Sequence, residues 1–68
     1  MLAKGNLLAD NDGVVGLICG LRRCGHQYDR HWEYELLDTT TGILRWVDEY
    51  DLYRRAGFKV MNDRALMT

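Results

Sequence analysis

The longest run of alternating apolar positions covers residues 14–21, Val-Val-Gly-Leu-Ile-Cys-Gly-Leu. Since side chains on a β-strand point alternately to two faces, this pattern predicts a strand. The larger side chains fall on one of those faces: Val15, Leu17, Cys19 and Leu21. We expect that face to contribute to the core, while Gly16 and Gly20 on the opposite face allow the strand to bend.

A second strand is predicted at residues 32–38, where the alternation has no interruption. Trp32, Tyr34 and Leu36 share one face of it. Glu33 and Glu35 occupy the other face and would contact water. The segment is therefore expected to be a half-buried strand of an antiparallel sheet.

A hairpin is predicted to follow, with residues 39–42 as its turn and Gly42 in the left-handed conformation that such turns require. If Leu36 lies opposite Trp46, the indole is buried and Arg45 points to solvent; a shift by one residue would reverse this. We expect the first arrangement, in which Trp46 fills the core. Replacing Trp46 by alanine should then cost about 3–5 kcal/mol.

Turn formers and short apolar groups define the other elements. Residues 10–13, Asp-Asn-Asp-Gly, predict a turn after a short strand at 6–9. Residues 48–52 are too few for an independent helix and predict one helical turn that places Leu52 in the core. Residues 58–61 predict a further short strand. The predicted core side chains are Leu17, Cys19, Tyr34, Leu36, Trp46 and Leu52.

Arginine and aromatic side chains cluster around the loop at residues 22–31. Together they suit a protein interface, where tyrosine, tryptophan and arginine supply most of the binding energy. They also suit single-stranded nucleic acid, because arginine meets phosphate while rings stack on bases. The candidate contact residues for either partner are Arg22, Arg23, Tyr28, Arg30, Trp32, Arg54 and Arg55.

Composition favours a single small globular domain. The 68 residues are 47% hydrophobic and 28% charged, with a formal net charge of -1. A chain of this length buries only about 60% of the surface that its unfolded form exposes, so its stability should be small. Because nucleic-acid-binding domains are usually basic, the charge favours a protein partner over a nucleic acid. No apolar run reaches the length of a membrane span or signal peptide, which predicts a cytoplasmic protein without a membrane partner.

Metal and catalytic chemistry find little support in the sequence. Cys19, Cys24, His26 and His31 form a Cys-x4-Cys-x-His-x4-His series that lacks the short knuckle spacing of zinc sites. The acidic residues show no calcium-loop spacing, and serine is absent from the chain. We therefore assign no metal, cofactor, catalytic residue or small-molecule substrate.

The pattern resembles the Src-homology-3-like (SH3-like) small barrels, in the compact form found among short bacteriophage proteins. The matching features are Gly5, Asp12-Gly13 with Gly16-Leu17-Ile18, Tyr34 to Leu36, Gly42 with Arg45-Trp46-Val47, and Asp51-Leu52. The resemblance implies an all-β fold, a five-stranded partly open barrel with a short helical turn near 48–52. It divides the chain into a barrel domain at 1–55 and a C-terminal extension, a short strand and tail, at 56–68.

The function expected from these observations is a non-enzymatic protein-binding or assembly module. The resemblance suggests a small phage structural protein, in the host cytoplasm or the virion, that docks on a larger protein or an oligomeric virion assembly. Its contacts would come from the loop at 22–32, an exposed strand edge or the C-terminal tail. The alternative is a nucleic-acid-binding barrel that regulates transcription or translation.

Overall fold

A computed structural model describes residues 2–62 of the chain. It contains β1 (Leu7–Asp10), β2 (Gly13–Cys24), β3 (His31–Leu37), β4 (Leu44–Asp48), α1 (Glu49–Tyr53) and β5 (Lys59–Val60). The strands form one antiparallel sheet in the order β4-β3-β2-β1-β5, and the sheet does not close into a barrel. The predicted all-β class, five strands and helical turn are confirmed. The tail predicted at 62–68 lies outside the described residues from position 63 onward.

The last described residues pair with the first strand of the sheet and form hydrogen bonds near it. β5 pairs with β1, so that Leu8 lies opposite Val60. The Asn62 side chain accepts a hydrogen bond from the Leu7 backbone N–H at 2.5 Å and donates one to the Gly5 carbonyl at 3.1 Å. The strand predicted at residues 58–61 is therefore an edge of the sheet rather than a detached segment.

The core lies on one face of the sheet, which we call the inner face. Its fully or nearly buried apolar residues are Leu2, Leu8, Ile18, Tyr34, Leu36 and Leu52. Leu52 enters from α1, and the Tyr34 hydroxyl accepts a hydrogen bond from the Leu2 backbone N–H at 3.2 Å. Burial raises the pKa of Tyr34 to about 12. Tyr34, Leu36 and Leu52 thus occupy the core positions expected of them.

The predicted inner face of β2 is correct for Val15 and Leu21, which pack against the core, and wrong for Leu17 and Cys19, because the strand contains two register shifts. One lies between Leu8 and Ala9 of β1, which pair with Gly16 and Val14, and the other between Ile18 and Gly20. The second shift leaves Cys19 as an extra residue, a β-bulge, so Ile18 and Leu21 both point inward. Leu17 and Cys19 are only partly buried. A strict alternation through residues 14–21 could not anticipate this.

The predicted register of β3 and β4 is also wrong by one residue. Trp46 lies opposite Glu35, and Arg45 lies opposite Leu36. The hairpin closes one residue earlier than expected, because the Asp38 backbone N–H donates to the Ile43 carbonyl at 2.9 Å. The Asp38 carboxylate holds this turn by accepting from the Thr40 and Thr41 backbone N–H groups at 2.8 and 3.1 Å. Trp46 consequently faces away from the core and is 40% exposed.

Candidate functional site: the outer face of the sheet

The face of the sheet opposite the core, the outer face, carries its side chains in rows that cross the strands. The first row consists of leucines at paired positions: Leu7, Leu17, Leu37 and Leu44. Because paired residues of an antiparallel sheet share a face, these four side chains form one apolar band. The band ends at β4, the edge strand, where Leu44 is 53% exposed.

Trp46 belongs to the next row, which contains Gly20, Glu35 and Trp46. A Cβ placed on Gly20 would lie 3.7 Å from the indole, an ordinary contact distance, so the ring of Trp46 reaches across β3 to β2. The guanidinium carbon of Arg22 lies 4.1 Å from the ring centroid. Arg22 therefore holds Trp46 by a cation–π contact while the indole remains accessible from solvent.

Arg22 is itself held by Glu33, the residue opposite it on β3. Its Nη2 lies 2.7 Å from Glu33 Oε1, and its Nε donates to the same oxygen at 2.8 Å. This hydrogen bond, with a smaller contribution from Cys24, lowers the pKa of Glu33. Burial, together with the neighbouring Glu33, raises the pKa of the Cys24 thiol. The polar end of the outer face is thus a connected set of side chains.

His31 and Asp48 complete that polar end. His31 Nε2 lies 3.1 Å from Asp48 Oδ2 and 3.8 Å from Glu33 Oε2. Asp48 also caps α1, since its Oδ1 accepts from the Tyr50 backbone N–H at 2.7 Å. Among residues 2–62, His31, Glu33 and Asp48 are the group whose ligand atoms lie close enough together to hold a metal ion. That group does not include the other members of the Cys-x4-Cys-x-His-x4-His series, which are Cys19, Cys24 and His26.

The structure does not bring the seven predicted contact residues onto one surface. Arg22 is on the outer face. Arg23 lies over Trp32, with its guanidinium carbon 5.3 Å from the ring centroid. Trp32 packs against the core. Tyr28, in the loop between β2 and β3, is 92% exposed, and Arg30 nearby is also exposed. Arg54 and Arg55 follow α1, and Arg55 pairs with Asp10 at 3.2 Å. These residues therefore divide among four regions of the molecule.

Sequence reasoning missed the side chains that make the outer face distinctive, above all Leu44 and Trp46 at its edge. The available signal was the alternation of Leu44, Trp46 and Asp48, which puts these three residues on one face of β4. The expected pairing of Leu36 with Trp46 instead places that face in the core. A polar residue at position 48 agrees better with the outward orientation that is observed.

The hydrogen bonds to Glu33 and Asp38 predict a loss of stability in acid. The backbone N–H groups of Thr40 and Thr41 hold the pKa of Asp38 below its ordinary 3.8, and Arg22 holds that of Glu33 below 4.5. Carboxylates with depressed pKa values stabilise the fold above their unfolded-state pKa, and this contribution disappears as pH falls through their folded-state values. The urea midpoint should therefore fall between pH 5 and pH 3. A Glu33→Gln, Asp38→Asn double variant should show a smaller fall; an unchanged fall would contradict the assignment.

No helix among residues 2–62 is long and apolar enough to span a bilayer. The described residues also form no pocket.

Comparison of the chain with protein-family models, with curated proteins and with solved structures gave no match.

Proposed function

We propose that this protein is a non-enzymatic binding module that takes up an extended segment of a larger protein along β4. The proposal rests on the exposed edge of β4 and on its exposed apolar side chains. Among residues 2–62, β4 pairs with β3 and with no other strand, and Leu44 and Trp46 are exposed on its outer face. A strand at a sheet edge presents backbone N–H and C=O groups to a further strand, and peptide recognition by strand addition uses this arrangement.

The other edge offers much less to a partner. β5 has two residues, whereas β4 has five and is followed directly by α1. Exposed apolar side chains are also concentrated at the β4 end, because Ile43, which precedes the strand, is 60% exposed. A partner segment along β4 would cover these apolar groups together with the unpaired backbone.

The side chains of β4 define the chemistry of the partner segment. Leu44 and Trp46 lie on the outer face, and Arg45, which is exposed, lies on the opposite side of the same strand. Residues of an added strand would lie opposite these three in alternation. The segment that fits best therefore has an apolar, an acidic and an apolar residue in succession, facing Trp46, Arg45 and Leu44.

A protein partner is favoured over a nucleic acid by what the arginines already contact. Arg22 is bound to Glu33, and Arg55 is bound to Asp10. The net charge of -1 supplies no general attraction for phosphate. Nucleic-acid binding is retained as an outcome of the experiment below.

The proposal is compatible with an SH3-like module. Five strands with a helical turn between β4 and β5 support that relationship, and small barrels of this type serve as binding modules of many kinds. The role in a bacteriophage virion stays a prediction from the sequence resemblance.

The proposal is tested with a display library of overlapping peptides tiled across the proteins encoded by the same genome. We expect selected peptides to carry the apolar-acidic-apolar pattern and to perturb the amide NMR signals of residues 43–48. Trp46→Ala should weaken their binding at least tenfold, because truncation of a hot-spot aromatic residue costs about 2 kcal/mol or more, and about 1.4 kcal/mol corresponds to tenfold. Tyr28→Ala, which removes a more exposed aromatic ring in the loop, is the control and should leave binding unchanged.

Two results would contradict the proposal. Peptides whose binding depends on Tyr28 and not on Trp46 would move the site to the loop between β2 and β3. Binding of single-stranded DNA or RNA that weakens steeply with salt, with no peptide selected, would replace the protein partner by a nucleic acid.

A further inference from the structure

Three potential metal ligands meet where β3 begins and β4 ends. His31 and Glu33 are two residues apart on β3 and therefore point to the same, outer face. Asp48, the last residue of β4, lies directly opposite Glu33 in the β3–β4 register. The strand pairing thus fixes the backbone positions of all three residues.

The distances between their donor atoms are close to those found around a bound ion. Zn²⁺ binds histidine nitrogen and carboxylate oxygen at about 2.0–2.2 Å, so neighbouring ligands of a tetrahedral site are about 3.4 Å apart. His31 Nε2 lies 3.1 Å from Asp48 Oδ2 and 3.8 Å from Glu33 Oε2. All three ligand atoms lie within 4.8 Å of one another, so that small side-chain rotations would complete the site.

Each of the three side chains is also oriented by a second contact at its other polar atom. His31 Nδ1 faces the Asp29 carbonyl at 3.4 Å, a contact that a proton on Nδ1 would keep when Nε2 binds an ion. Glu33 uses Oε1 to bind Arg22, and its Oε2 is directed toward His31. Asp48 uses Oδ1 to cap α1 and presents Oδ2 to the imidazole. Metal ligands in proteins characteristically have such outer contacts, which orient the donor atoms.

We propose that His31, Glu33 and Asp48 form a Zn²⁺ site. One nitrogen and two carboxylate oxygens are a donor set that suits zinc, and three protein ligands leave one position for water or for a group of the partner. The three side chains are 16%, 23% and 30% exposed, so the site is half-buried and open to ions from solvent. This site differs from the Cys-x4-Cys-x-His-x4-His series of the sequence, because His31 is the one residue that belongs to both.

A bound ion would link the end of β4 to the start of β3. Asp48 caps α1, and α1 carries Leu52 into the core. Because an ion that binds only the folded protein stabilises it, Zn²⁺ should raise the melting temperature of the domain. This effect is independent of whether the protein binds a peptide at β4, so the failure of either proposal leaves the other open to test.

The experiment is a Zn²⁺ titration of the full chain, free of any affinity tag and treated with chelator, by calorimetry and by thermal unfolding. We expect one equivalent of Zn²⁺ to bind and the melting temperature to rise. Since loss of an outer contact alone weakens metal binding about 10–100-fold, loss of the ligand in His31→Ala should weaken it about 100-fold or more. His26→Ala is the matched control, because it removes an exposed loop histidine and should leave the affinity unchanged.

Asp48→Asn provides a second variant in case His31→Ala does not fold. Asparagine keeps the cap of α1 while it removes the anionic oxygen that faces His31. This variant should fold and bind Zn²⁺ at least tenfold more weakly. The proposal would be overturned if the wild-type chain bound no Zn²⁺, or if His31→Ala or Asp48→Asn bound it as tightly as the wild type. In that case the three side chains form an ion pair with no metal function.

Discussion

Replacing Leu52 by alanine is expected to unfold a large fraction of the protein. Leu52 is completely buried, and it is the residue through which α1 joins the core beside Tyr34 and Leu36. Truncation of a buried leucine costs about 2–5 kcal/mol, and a core in a domain of this size supplies only about 3–5 kcal/mol in total. Urea unfolding followed by circular dichroism should show the loss as a midpoint close to zero denaturant.

Trp46→Ala is the informative control for this variant. Trp46 has the larger side chain, but it lies on the outer face and is 40% exposed. We expect its replacement to lower the unfolding free energy by less than half of the loss caused by Leu52→Ala. An equal or greater loss for Trp46→Ala would mean that the indole is in the core, as the sequence alone had suggested.

Replacing Gly16 by alanine is also expected to destabilise the fold. Gly16 is buried opposite Leu8, between β1 and β3. A Cβ at this position would collide with the Leu37 carbonyl oxygen and would lie 2.9 Å from Leu36 Cγ. Because backbone and a packed core side chain would both have to move, we expect a loss of about 1–3 kcal/mol, measured by thermal or urea unfolding.

Gly20→Ala is the matched control on the same strand. The nearest atom to a Cβ there is the Glu35 carboxylate oxygen at 3.2 Å, the mobile end of an outer-face side chain. This variant should therefore lose less stability than Gly16→Ala. If the two variants were equally stable, the close approach of β3 to Gly16 would be excluded.

The sequence predicted those parts of the fold that depend on local pattern. The alternation of Trp32, Tyr34 and Leu36 runs along β3 without a bulge, and the strand is oriented as expected. The helical turn was predicted at 48–52 and spans Glu49–Tyr53. Both follow from spacing over a few residues, which the sequence displays directly.

The parts that failed depend on contacts between strands. The bulge at Cys19 changes the face of every later residue of β2, and nothing in the local spacing marks the extra residue. The register of β4 is determined by where the Asp38 turn closes, and a difference of one residue moved Trp46 from the inner to the outer face. The face of a strand is therefore the least predictable feature of this chain.

The two candidate sites also depend on the pairing of strands, and they could therefore not be predicted from local sequence pattern. The apolar band and Trp46 become one surface only through the pairing of four strands. His31, Glu33 and Asp48 come together only because β3 and β4 pair as they do. In the sequence, Glu33 and Asp48 were interpreted as separate solvated carboxylates, and His31 as a loop histidine.

Trp46 lies on the outer face at the edge of the sheet, where we propose that a partner segment covers it. Fluorescence of a Trp32→Phe variant tests this most directly, because Trp46 is then the one tryptophan in the chain. We predict emission typical of a solvent-exposed indole, strong quenching by iodide, and protection from iodide when a peptide selected by the wild-type protein is added. Emission of a buried indole that iodide does not quench in the free protein would contradict the account.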